Sequence, residues 1–235
     1  MDYEKDRYIR FDLADNAIDN LQRCVAFLAE TEANPKSWKW AAIAAHDALY
    51  SFCICALQGT NPDLVMEATK KGKKKLITFP KAFRRCQQQN AIRDGTLGAT
   101  PLSLDAADSR KISTLQKEFR NNFAHFHPRG WSIEVRAISD ALPVVFQAIR
   151  SLILDNSDRL YGFPCKEQFR TIDVLVTTAE AYLQRFNELD DERIEESRRE
   201  EELETIMSDL PQAEDQHSDE LLNNLTEDAS KEETE

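Results

Sequence analysis

Between Leu115 and Trp131 the chain reads LQKEFRNNFAHFHPRGW, placing Arg120, Asn121, Asn122, His125 and His127 among three phenylalanines. Histidine titrates near neutral pH and can remove or return a proton during a reaction. Arginine offers a planar fork of donors to phosphate or carboxylate oxygens and stabilises charge building on them. An asparagine beside them can orient either partner. Counted from Arg120, His125 stands at R-x4-H and His127 at R-x6-H. Five helical positions turn by about 500°, so Arg120 and His125 lie about 140° apart on a regular helix. They flank the phenylalanine stripe from opposite sides. A frayed helix end, or a second copy of the segment, is needed to bring both groups to one point. The same residues also have a structural use. An Arg–Asn pair at a helix end can bind carbonyls or a neighbour such as Glu118, and a terminal histidine interacts favourably with the helix dipole.

Helical periodicity supplies the elements that must position this segment. Apolar residues at 14, 17, 18, 21, 24, 25 and 28 predict a helix over 14–30, broken by Asn34-Pro35. A second helix over 36–57 carries Trp38, Ala41, Ala42, Ala45, Leu49, Phe52 and Ala56 on a broad face. His46 falls on that alanine-rich face and reads as a core histidine. Asn61-Pro62 predicts a short helix reaching Thr69, followed by a lysine loop and a helix over 80–89. The glycines and proline of 91–102 predict a loop. Ser103 is the expected cap of a long helix with the stripe Ile112, Leu115, Phe119, Phe123 and Phe126, which Pro128 should end. After a short extended stretch over 131–135, Ser139 is the expected cap of a helix that tolerates Pro143 in its first turn. A last helix starts near Lys166 and runs on as a charged rod to about Met207, with disorder expected beyond. The expected fold is all-α, a helical bundle of about five main helices over 1–187, followed by an acidic, partly helical tail over 188–235.

Charge divides the chain at the same place. The formal net charge is −12, but Glu188–Glu235 holds 20 acidic and four basic residues, which leaves 26 basic and 22 acidic residues in the first 187. That part is mildly basic, so an acidic whole-chain balance does not exclude a nucleic-acid partner. Its strongest basic run is Lys70, Lys71, Lys73, Lys74 and Lys75, then Lys81, Arg84 and Arg85, with Phe79 and Phe83 interleaved. Such a mixture suits phosphate contact with base stacking, as in RNA binding, and equally suits a solvated loop before an amphipathic helix.

Only 6 of the 235 residues are glycine, against folds built on many tight turns, and neither G-x-x-x-x-G-K-[ST] nor G-x-G-x-x-G occurs. The apolar run Ala41–Leu57 carries His46 and Asp47 and falls short of a bilayer span, so no membrane partner is expected. The first twelve residues are charged and lack the apolar stretch of a secretory signal. Five cysteines are an odd number for a disulfide framework, and Cys53 and Cys55 point to different faces of one helix. A cytoplasmic protein without metal or cofactor is expected.

The segment from Arg120 resembles the HEPN superfamily, α-helical bundles whose ribonuclease members carry R-x4-6-H with a polar residue after the arginine, here Asn121. The motif covers six residues; its context, a helix end within an all-helical region with a further helix behind, extends the likeness over about 12–186. The resemblance implies metal-independent RNA cleavage in which the ribose 2′-OH attacks its own phosphate. It implies proton transfer by His125, phosphate binding by Arg120 and support from Asn121, with His127 as rival or helper. It also implies a polar or acidic residue on an earlier helix, for which Asp47 is the candidate. Ribonucleases of this kind are generally homodimers with facing motifs, and often act as toxins or in defence, with an antitoxin or other regulatory protein as partner. Many HEPN-like bundles are instead non-catalytic modules that bind RNA or protein.

Overall fold

A computed structural model describes residues 9, 11–59, 61–89, 91–92, 99–124, 130, 132–156 and 166–209. It divides the chain into two compact units, Met1–Glu188 and Leu189–Glu235. The described residues are mostly helical.

Helix α1 (Leu13–Glu30) starts where the Asp12 carboxylate accepts the Asp15 amide at 2.8 Å, satisfying one of the free N–H groups of the first turn. Ala17, Ile18, Leu21, Cys24 and Leu28 form its buried stripe. Helix α2 (Ser37–Gln58) buries sixteen of its 22 residues, so it is apolar nearly all round. Such a helix must be enclosed by others. The Asn16 amide donates to Ser51 Oγ at 2.9 Å, and Phe27 lies 6.2 Å from Trp40 between ring centroids. The start of α1 therefore meets the end of α2, and the pair is antiparallel.

After α2, Pro62–Val65 forms a single 3₁₀ turn capped by the Asn61 side chain, and the chain then enters a hairpin. Strand β1 (Met66–Ala68) pairs antiparallel with β2 (Lys74–Leu76), with Met66 opposite Leu76 and Glu67 opposite Lys75. The helix expected to reach Thr69 is thus replaced by 3₁₀ turn and strand, and two of the loop lysines stand on β2. The turn closes through Thr69 N–H to the Lys73 carbonyl at 2.7 Å, with Gly72 at φ 72°. That left-handed geometry favours glycine. Helix α3 (Phe79–Cys86) follows, with Phe79, Ala82, Phe83 and Cys86 buried.

Helix α4 (Ala106–Thr114) is capped by Asp105, which accepts the Asp108 amide at 2.7 Å; the cap is not the expected Ser103. The helix widens at once into a π segment, Leu115–Arg120, and returns to α geometry in α5 (Asn121–Ala124). The expected end near Phe126 lies outside the described residues. So do Trp131 and all five residues from His125 to Arg129; Ser132–Glu134 are described and form no strand. Helix α6 (Val135–Ser139) ends at Ser139, whose hydroxyl donates back to the Arg136 carbonyl at 3.0 Å. A serine bonded to the preceding turn is not available as a forward cap, and α7 (Leu142–Ile149) starts from Ala141 with Pro143 in its first turn.

A second π segment, Arg150–Leu154, follows α7, and α8 (Lys166–Asp209) completes the helices. Arg150 reaches Asp173 at 2.8 Å and Glu180 at 3.2 Å, which ties the π segment to α8. Within the first unit α8 buries Ile172, Val176, Ala179 and Leu183. Within the second it is exposed over 191–208, with Arg198 and Arg199 both paired to Glu195. By length and composition α2 and 135–154 could cross a bilayer, but 78% and 61% of their apolar windows are buried in the protein itself.

Asn156 is fully buried, and its side chain accepts the Thr100 amide at 2.9 Å and donates to the Thr100 and Ser151 carbonyls. It fastens the stretch before α4 to the second π segment. Removing it leaves those backbone groups unpaired, at roughly 1–3 kcal/mol for a buried group. Asn156→Ala is expected to lower the unfolding free energy by about 2 kcal/mol in a urea titration. An unchanged midpoint would show that this polar clasp holds nothing.

Candidate active site

Arg120 ends the first π segment, where the Asn121 amide bonds back to the Gln116 carbonyl, five residues earlier. A π turn inserted in an α-helix is uncommon and frequent at functional sites. Leu115 and Phe119 remain buried in the core, while Arg120, Asn121 and Asn122 are half-buried at its edge.

The partner of Arg120 comes from the middle of α2. Arg120 Nε lies 3.6 Å from Asp47 Oδ1, and His46 Nδ1 lies 2.9 Å from the same oxygen. One carboxylate oxygen therefore serves two cationic or donor groups from two helices. His46 is buried under Phe79, 4.5 Å between ring centroids, and its Nε2 has no hydrogen-bond partner among the described residues. The Arg120 side chain is 32% exposed and that of Asp47 35%. The 3.6 Å separation is an ion pair rather than a hydrogen bond, and Arg120 Nε is itself buried without an acceptor among the described residues. The guanidinium is thus held to Asp47 by charge at a partly exposed edge of the core. Asp47, chosen from the sequence as the supporting acid, is brought to Arg120. His125 and His127 lie outside the described residues.

The basic run behaves differently. Lys74 pairs with Asp63 at 2.6 Å, while Lys75 and Lys81 pair with Glu67 at 3.2 and 2.7 Å. Arg85 donates to the Leu64 carbonyl. These four hold the hairpin and α3 together. Lys70, Lys71, Lys73 and Arg84 are exposed, three at the hairpin turn and one on α3.

Sequence reasoning missed a pocket of about 460 Å³ beside α5. Its floor and walls include Trp38, Phe123, Ile133 and Ile138, and its polar edge carries Lys36, Lys39 and Asn122. Trp40 also lines it and is 47% exposed, with the Lys39 ammonium 4.6 Å above its ring. The available signal was Trp40 itself, a large aromatic off the buried face of α2. The opposite wall comes from 133–138, which no local pattern connects to α2.

Burial pushes the thiols of Cys24, Cys53 and Cys55 well up, which removes them as thiolate nucleophiles. Among the described residues no three His, Cys, Asp or Glu side chains gather into a metal-holding group. No protein-family model, curated protein or solved structure matches the chain.

Hydrogen bonds from Lys81 and then Lys75 hold the Glu67 carboxyl below the ordinary glutamate range. A carboxyl depressed in the folded state contributes stability above its unfolded pKa, and loses it as pH falls through the folded value. An NMR pH titration of Glu67 is expected to give a depressed value that rises toward the ordinary one in Lys81→Ala. An ordinary value in the unmutated protein would free both lysines for other partners.

Proposed function

We propose that the chain is a metal-independent endoribonuclease of the HEPN type. The observation that carries this reading is the Arg120–Asp47 pair: the arginine of an R-N-x3-H motif, at the end of a π turn, meets an acid from an earlier helix at 3.6 Å. Asp47 holds the guanidinium from behind through Nε and leaves its remaining donors for the two non-bridging oxygens of a phosphate. In the proposed reaction the 2′-oxygen bonds to the adjacent phosphorus and its proton passes to His125. The bond from phosphorus to the 5′-oxygen breaks, that oxygen takes a proton from water, and His125 releases its own to solvent. The products are a 2′,3′-cyclic phosphate and a 5′-hydroxyl. Arg120 stabilises the charge on the equatorial oxygens, where preorganised donors contribute most. Asn121 steadies the phosphate, and His127 is a second candidate for the proton transfer.

The dimer belongs to the same proposal. On a regular helix Arg120 and position 125 stand about 140° apart; of a frayed helix end and a second copy, either of which brings them to one point, we take the second copy, with facing motifs. Lys70, Lys71, Lys73 and Arg84 are exposed, and we assign them to the RNA backbone; Lys74, Lys75 and Lys81 are exposed as well but paired with acids, and Arg85 donates to the Leu64 carbonyl.

The test is digestion of RNA by the full chain in excess chelator. Cleavage should persist, leave cyclic phosphate ends and fall by about 10²–10³ in Arg120→Ala and in His125→Ala. Loss in His127→Ala alone would transfer the proton to that residue. Equal cleavage by the folded Arg120→Ala and His125→Ala proteins would refute the assignment, and RNA binding without turnover would make the chain a binding module.

A further inference from the structure

The pocket beside α5 has a composition that narrows its ligand. Its walls are apolar and aromatic, and among the described residues its two charged lining residues are Lys36 and Lys39 and no acidic side chain lines it. A pocket of this size, with mostly apolar walls and a few placed polar groups, is the usual form of a small-ligand site. Two cations at an aromatic cleft call for a ligand that is flat and apolar in one part and anionic in another. Asn122 adds an amide that can both donate and accept, the pairing needed to read the edge of a heteroaromatic ring. Asn122 is also two residues beyond Arg120 on the same helix.

We propose that this pocket is a nucleotide subsite that takes one base, with its phosphate, of the RNA strand passing Arg120. The ligand class rests on the ribonuclease reading; the pocket chemistry is independent of it. The base stacks on the exposed ring of Trp40, in the place now held by the Lys39 ammonium. Lys39 then turns with Lys36 to the phosphate, exchanging a cation–π contact for a charge-assisted one. Asn122 meets the base edge, which makes it the residue that sets base preference at this position. Stacking of a base on one aromatic side chain is worth a tenfold or larger factor in binding.

The experiment is calorimetric titration of the full chain, in excess chelator, with each of the four nucleoside 5′-monophosphates, with the four uncharged nucleosides, and with inorganic phosphate. At least one nucleotide should saturate in the millimolar range or below, more tightly than its nucleoside or phosphate alone. Trp40→Ala should weaken it about tenfold or more. The double variant Lys36→Gln, Lys39→Gln should bring nucleotide affinity down to that of the nucleoside and flatten its salt dependence. Both positions are at the surface, and circular dichroism of the variants establishes that they fold. Absence of saturation by all four nucleotides, or unchanged affinity in Trp40→Ala, overturns the proposal. The two readings fail separately. Nucleotide binding without RNA cleavage keeps the subsite and removes the ribonuclease, whereas cleavage with no nucleotide binding removes the subsite alone.

Discussion

Helix α2 has to be buried on almost every side, and the other elements of the first unit are arranged to do it. Its 22 residues include six alanines, and α1, α3, α5, α7 and both π segments all pack against it. Small side chains let those neighbours come close, and the large ones, Phe52, Leu49 and Leu57, fill the spaces between them. Truncating a buried phenylalanine in such a core typically costs about 3–5 kcal/mol. Asp47 is the single carboxylate in this helix. Burying it unpaired would be costly, so it stands at the edge of the core, half-exposed, where the π segment delivers Arg120 and α2 itself supplies His46.

The same constraint separates what stabilises the fold from what serves the site. Arg120 and Asp47 are both about one third exposed, and ion pairs of that kind contribute about 0–1 kcal/mol. That is small beside the phenylalanine core. The pair therefore does little to hold the helices together. The basic cluster shows the opposite division. Lys75 and Lys81 converge on Glu67, Lys74 pairs with Asp63 and Arg85 donates to the Leu64 carbonyl, so half of an apparent anion-binding run ties together the 3₁₀ turn, the hairpin and α3.

Much of the helical scaffold was legible because its signals are local. Apolar periodicity and Asn34-Pro35 mark α1, and the alanine-rich pattern marks α2, with ends within a residue or so of those read from sequence. The hairpin was not legible, because two three-residue strands have no period to detect and the nearby lysines read as loop. Ser103 and Ser139 failed as caps for a related reason: Asp105 stood closer to the first helical turn, and Ser139 bonded backward. The π turn under Arg120 has no sequence signature either. In the site, Asp47 was named only through the family resemblance, and it lies 3.6 Å from Arg120. The pocket was not legible, since it joins Lys36, Lys39 and Trp40 to residues almost a hundred positions away.

The central claim is that Asp47 acts on RNA through Arg120 and not independently of it. A double-mutant cycle on cleavage rate in excess chelator, using Asp47→Asn, Arg120→Ala and the combined variant, tests it most directly. If Asp47 only positions the guanidinium, its substitution lowers kcat in the unmutated background and has no further effect once Arg120 is gone. Two losses that multiply, with each variant folded, would show that the pair does not work as a unit and would contradict the account.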